Sequence, residues 1–344
     1  MTVATVQLRA ANGAVSSIQV TLPISSSFVF PDATSRPHMV TGSVMAYTDT
    51  SGPQTVTLKP LPAKNSTFGV DATTGAANNG TFYDGRGWVN VTKANTRIDG
   101  YDFNGVGVGN IQANNVFISR CWFRNIDGED SWGVWCHQNG TFTNLTITDC
   151  LVSGTSATKT GPNGILKQDG TISNVVIRRC HTVNCSGFVQ FAPIVGPGNA
   201  PYGNVIAECY MEVNSDPSNL GLHLEQVNVS SGTGGLLIQN NHITGPTRQT
   251  ATIYICHDSG NVGNITIDNN LLDGKPQNTI YAGNTGQAQG VLISAAGNVK
   301  VTNNKFATTN GQNPGGLLID PGSGDARLLV SGNVSYPALS PLSI

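Results

Sequence analysis

The sequence predicts an all-β protein, a long stack of short parallel coils behind a small N-terminal β module. Three observations carry that prediction. Charged residues make up only 11% of the 344, far below the ~25% of an ordinary soluble domain. Long surface helices need Lys, Glu and Arg, which are scarce here. In their place stand 41 glycines and 35 asparagines, residues that make turns. The second observation is an internal repeat near 30 residues, and the third is the character of the segments inside each repeat.

The repeat is an apolar-x-apolar-x-x-[Cys/Asn] motif, and self-similarity at a fixed period is the signature of stacked architectures. It runs Val116–Cys121, Leu145–Cys150, Val175–Cys180 and Val205–Cys209. It then continues with Asn in the last position as Leu236–Asn241, Ile265–Asn270, Val299–Asn304 and Leu328–Asn333. Successive final positions differ by 29, 30, 29, 32, 29, 34 and 29 residues. A second apolar segment follows in each unit, usually opened by glycine: Gly133-Val-Trp-Cys, Gly164-Ile-Leu-Lys, Gly187-Phe-Val-Gln, Gly221-Leu-His-Leu, Thr252-Ile-Tyr-Ile, Gly290-Val-Leu-Ile and Gly316-Leu-Leu-Ile. No amphipathic stretch of 10–15 residues separates these strands, which excludes a βαβ layout. The units are also too short for four-stranded propeller blades. Coils stacked at ~4.8 Å place equivalent residues over one another, so Cys and then Asn should form ladders. Arg97–Phe103 reads as the first coil, and the stack as residues 96–344.

The first 64 residues differ. Val3–Leu8, Ile18–Leu22, Ser43–Tyr47 and Gln54–Leu58 alternate like half-buried antiparallel strands. They read as a β-sandwich-like module over residues 1–64, with a Gly/Asn-rich connector over 65–95.

Formal charge and hydropathy exclude several functions. With 18 Lys+Arg against 20 Asp+Glu, no basic stripe marks a nucleic-acid surface. No run of ~18 apolar residues spans a membrane. The opening residues lack a basic stretch followed by an apolar core, so the seven cysteines are expected as thiols made in a reducing cytosol. Cys-His occurs at 136–137, 180–181 and 256–257, but neighbours on a strand point to opposite faces and cannot share an ion. No metal or cofactor is expected.

Chemistry is sought on the outward face of the second strand. Counted from its opener, the outward column reads Trp135, Leu166, Val189, His223, Tyr254, Leu292 and Leu318, a reading sensitive to a one-residue slip. Trp135, His223 and Tyr254, with Glu225 nearby, are the candidate ligand-binding residues, since aromatic faces stack on sugar rings. Asp169 and Glu225 are the candidate catalytic pair. They lie two coils or about 9.6 Å apart by rung spacing, near the separation of an inverting glycosidase.

These ladders and strand lengths resemble the right-handed parallel β-helix, or pectin-lyase-like, superfamily over residues 96–344. The layout of a small β module, a glycine-rich link and a β-helix resembles bacteriophage minor tail proteins and tail fibres. The opening Val6-Gln-Leu-Arg-Ala-Ala-Asn-Gly-Ala14 is similar to modules of phages of actinobacteria. The resemblance implies a virion protein made in the host cytoplasm. Its N-terminal module would attach to other tail proteins and its β-helix would contact host surface polysaccharide, as a homo-oligomer, trimeric in such proteins. The Asn-Thr-Asp, Asp-Asp and Gly-His-Gly motifs of polygalacturonases are absent, and no pectate-lyase calcium cluster appears. The expectation is therefore a receptor-binding tail protein, with a polysaccharide depolymerase, hydrolase or lyase, as the alternative.

Overall fold

In the computed structural model the described residues are 2–9, 15–22, 38–84, 87–126, 131–136, 141–154, 164–191, 203–213, 226–230, 232, 234–245, 251–256, 263–274, 278–283, 299–307, 317–319, 328–336 and 340. All their regular structure is β, without a helix. The chain opens with an antiparallel hairpin, β1 (Thr2–Arg9) and β2 (Val15–Leu22). A three-stranded antiparallel sheet follows: β3 (Met39–Thr41), β4 (Val44–Asp49) and β5 (Gly52–Thr57). The alternating segments read from the sequence fall on β1, β2, β4 and β5.

Beyond β6 (Lys59–Pro60), each strand of the coils pairs in parallel with the strand three places later, so the chain visits three ladders in turn. Ladder A runs from Thr96–Asp99 through Val116–Ser119 to Leu328–Ser331. Ladder C runs from β6 through Tyr101–Asn104 to Val334–Tyr336. Ladder B runs from Gly107–Ile111 through Trp132–Cys136 to Leu317–Ile319. Val116 pairs with Leu145 and Ile118 with Ile147, in the register that the repeat requires.

The segment read as a connector contains strands. β7 (Ser66–Asp71), β8 (Ala77–Tyr83) and β9 (Trp88–Val91) make an antiparallel meander. β7 pairs with the first strand of ladder A and β9 with the first of ladder B, joining the two ladders at this end. Gly and Asn in β8 hide the strand from a composition reading, because turn formers are depleted in strands only on average.

Inward residues of all three ladders form one continuous apolar core, with Ile98, Ile118, Ile147, Ile177, Phe103, Phe123, Val134 and Val189 among them. Cys121, Cys150, Cys180 and Cys209 are free, buried and stacked. Each Sγ lies 3.6–3.8 Å from the carbonyl of Ile98, Ile118, Ile147 or Ile177 one coil back. The ladder then changes to amides. Asn241, Asn270 and Asn304 each donate Nδ2 to the Oδ1 of the next asparagine, at 2.9, 2.9 and 3.0 Å. The residue before each ladder position takes the left-handed conformation, including Arg120, Asp149, Arg179 and Glu208 with φ of 49–59°. This corner is held by ion pairs rather than by glycine. Arg179 pairs with Asp149 at 2.7 Å and reaches Glu208 at 3.6 Å.

Sheet β3–β5 packs on the outer face of ladder C. Met45, Tyr47 and Leu58 are buried against Leu151 and Val183, with Val40, Val56 and Trp122 packed alongside.

Candidate functional site

Ladder B carries the outward column, with Trp135 and Tyr254 where the sequence placed them and the second and third coils one residue away from the expected positions. Val134 pairs with Leu166, and Leu166 with Val189, so Leu166 and Val189 point inward and are fully buried. The observed outward column is Asn90, Gly109, Trp135, Lys167, Gln190, Asn228 and Tyr254. Because side chains alternate with period two, miscounting one opener swaps the faces. Two buried positions in succession, Ile165 and Leu166, begin the strand and cause the miscount. In the fourth coil the paired strand is Val227–Val229 rather than the segment at Gly221, and in the sixth it is Asn278–Gly283 rather than the segment at Gly290.

Of the candidate residues, Trp135 is half-buried in this column. Tyr254 shares the column, four coils further along, but is only 6% exposed. His223 and Glu225 lie outside the described residues. The structure therefore does not bring Asp169 together with a second carboxylate among the described residues. It brings Asp169 to Trp135 instead. The indole Nε1 of Trp135 donates to Asp169 Oδ2 at 2.8 Å. Lys167 Nζ lies 4.8 Å from the centre of the Trp135 ring and 3.5 Å from the same Oδ2. Asp169 sits in a turn fixed by its own N–H and that of Gly170, both donating to the Cys136 carbonyl at 3.2 and 2.9 Å.

Trp88, at the start of β9, completes the cluster and was not among the candidates. Its ring is 5.5 Å from that of Trp135, inclined by 66°, an edge-to-face arrangement favoured by aromatic quadrupoles. Gly107 and Gly109 make room for it. A Cβ on Gly109 would come within 2.9 Å of Trp88 Cε3, and one on Gly107 within 2.6 Å of Cζ3. The available signal was Trp88 followed by Gly-x-Gly at 107–109, one coil apart, but reading 65–95 as a connector concealed it.

The site is thus a half-buried tryptophan pair with a cation and a carboxylate at one edge, flanked along the column by the half-buried amides of Gln190 and Asn228. Such a surface offers stacking and hydrogen bonds. Among the described residues no group of three His, Cys, Asp or Glu could hold a metal ion, and no helix is long and apolar enough to cross a membrane. Compared with protein-family profiles, curated proteins and solved structures, the chain finds no match.

Proposed function

We propose that the chain is a right-handed parallel β-helix that binds a polysaccharide at a cell surface through the Trp88–Trp135 pair, without cleaving it. The observation that carries this reading is the pair itself, seated on a floor of two glycines and edged by Lys167 and Asp169. Aromatic rings pack against the apolar faces of sugars, and a few placed polar groups fix orientation. The three-ladder winding supports the β-helix reading. The resemblance of the opening segment and of the layout to minor tail proteins supports a role in a bacteriophage tail. There the N-terminal module joins neighbouring tail proteins and the coils face the host.

Asp169 accepts from the indole N–H at 2.8 Å and lies 3.5 Å from the Lys167 ammonium. The depolymerase reading needs a second carboxylate opposite it. The experiment is calorimetry of the full chain with soluble cell-wall polysaccharide from an actinobacterial host, with reducing ends and unsaturated products assayed in parallel. Binding without products, weakened at least tenfold by Trp88→Ala and by Trp135→Ala, is the expected outcome. Products that disappear with Asp169→Asn or Glu225→Gln would replace this reading with the depolymerase. Undiminished binding by both tryptophan variants would remove the site.

A further inference from the structure

A second feature of the fold lies on a different ladder from the tryptophan pair, where sheet β3–β5 meets the outer face of ladder C. His38, immediately before β3, is 3% exposed. Its ring stacks on Tyr47 of β4 at 6.1 Å, 16° from parallel, and lies 5.8 Å from the ring of His181 on ladder C. From His181 a column of buried rings continues coil by coil. Tyr210 stands edge-on to His181 at 4.9 Å, and His242 follows edge-on to Tyr210 at 4.9 Å. The interface between module and coils is therefore apolar at Met45, Leu58, Leu151 and Val183, and imidazole-bearing beside them.

We propose that His38 makes the docking of sheet β3–β5 onto ladder C sensitive to acid, so that the sheet releases from the coils as the imidazole takes up a proton. The charged groups that face it argue for release rather than for a new salt bridge. From the corner of ladders A and C come Arg179, Asp149 and the Cys180 thiol. Asp149 is committed to Arg179 by two hydrogen bonds, at 2.7 and 3.0 Å. Glu208, one coil on, is shared between Arg178 and Arg179 at 3.4 and 3.6 Å. From the sheet come Tyr47, which Arg120 reaches, and Asp49, which feels Arg179. Arg120 itself is paired with Asp99. From ladder C come His181 and, beyond it, Tyr210 and His242. An imidazolium at His38 would thus sit near a guanidinium and a second imidazole, with the nearby carboxylates already taken.

By strict geometry neither ring nitrogen of His38 makes a hydrogen bond, and the acceptor beside the ring is the Asp149 carbonyl rather than a free carboxylate. Burial pushes the His38 pKa down to about 4 from the ordinary 6.5, with Arg179 adding to the effect and the Cys180 thiol and Asp149 carbonyl opposing it. The sign follows from linkage. With a folded value below the free one, the docked state is fully favoured above pH 6.5 and loses that preference as pH falls toward 4. At pH 5 these two values shift the docking equilibrium by about 30-fold.

Hydrogen exchange of the full chain, corrected for the intrinsic pH dependence of exchange, tests this. Between pH 7.5 and pH 5 the amides of β4 and β5 should lose roughly 30-fold in protection, while ladder A amides at 116–119, 145–148 and 175–178 keep theirs. His38→Phe preserves an aromatic against Tyr47 and should abolish the pH dependence. His38→Asn, smaller and also non-titrating, does the same if the larger ring misfolds. Unchanged protection of β4–β5 at pH 5 would overturn the proposal. An equal loss in wild type and both variants, or a loss that disappears in His181→Phe and persists in His38→Phe, would overturn it as well.

Discussion

At Gly109 the absence of a side chain decides whether a tryptophan pair exists. Alanine there brings a methyl within 2.9 Å of the Trp88 ring, closer than carbon atoms pack, so the ring must turn away from Trp135. The expected cost is about 1–3 kcal/mol, as for other overpacked sites. Near-UV circular dichroism should show the coupled indole signal diminished while the far-UV spectrum stays β. An unchanged near-UV spectrum would mean that Trp88 does not rest on Gly109. Trp135 was legible because a large aromatic stands out in a strand that opens on glycine. Its neighbours were not, since a one-residue slip exchanged Leu166 for Lys167 and Val189 for Gln190. The corrective signal lay in the strands themselves. Lys167, Gln190 and Asn228 are polar positions each flanked by buried residues, and only one register puts all three on the outer face.

At the scale of the element, two adjacent asparagines illustrate two different physical demands. Asn269 holds a φ of 51°, a conformation that costs most residues roughly 1 kcal/mol and glycine almost nothing. Asn270 is fully buried. It accepts from the Asn241 N–H at 3.0 Å and Nδ2 at 2.9 Å, and donates to Asn304 Oδ1 at 2.9 Å and the Ile238 carbonyl at 2.9 Å. Asn270→Ala strands these partners inside the core, at about 1–3 kcal/mol for each unsatisfied group, so a loss of at least ~3 kcal/mol is expected in denaturant unfolding. Asn269→Gly should change stability by about 1 kcal/mol or less. Equal effects of the two would contradict the division of roles between corner and core. The repeat made ladder A, its register and the Cys-to-Asn ladder readable, because the same spacing returns eight times. Ladder C escaped notice. Some of its strands, such as Trp122–Arg124 and Leu151–Ser153, are only three residues long, which leaves little alternation to read.

Across the whole molecule, the coils and the N-terminal sheet answer to acid through groups of opposite habit, which fixes an order of events. The sheet depends on a histidine with its pKa lowered to about 4, so its docking weakens from pH 6.5 downward. The first coils depend on carboxylates. Burial alone would raise the Asp99 carboxyl, but hydrogen bonds from Arg120 and from Ser119 at 2.8 Å outweigh it and leave the pKa below the ordinary 3.8. A carboxylate held low stabilises the fold above its free value and loses that contribution only as pH falls through the folded one, so this clamp survives until below pH 3.8. Asp149 runs the other way. Burial raises its pKa above the ordinary value despite Arg179, so its protonation as pH falls favours the folded corner. The coils also rest on neighbour-to-neighbour contacts that do not involve the sheet, as in other stacked repeats. Acid should therefore act in two separated steps. Protection of β4–β5 is lost between pH 6.5 and 4, and far-UV circular dichroism of the coils changes only below pH 3.8. Raising ionic strength should shift the second step, because the Arg120–Asp99 pair is partly exposed and screened by salt. It should leave the first nearly in place, because His38 is buried. A single acid transition, seen at the same pH by exchange and by circular dichroism, would mean that sheet and coils unfold as one body.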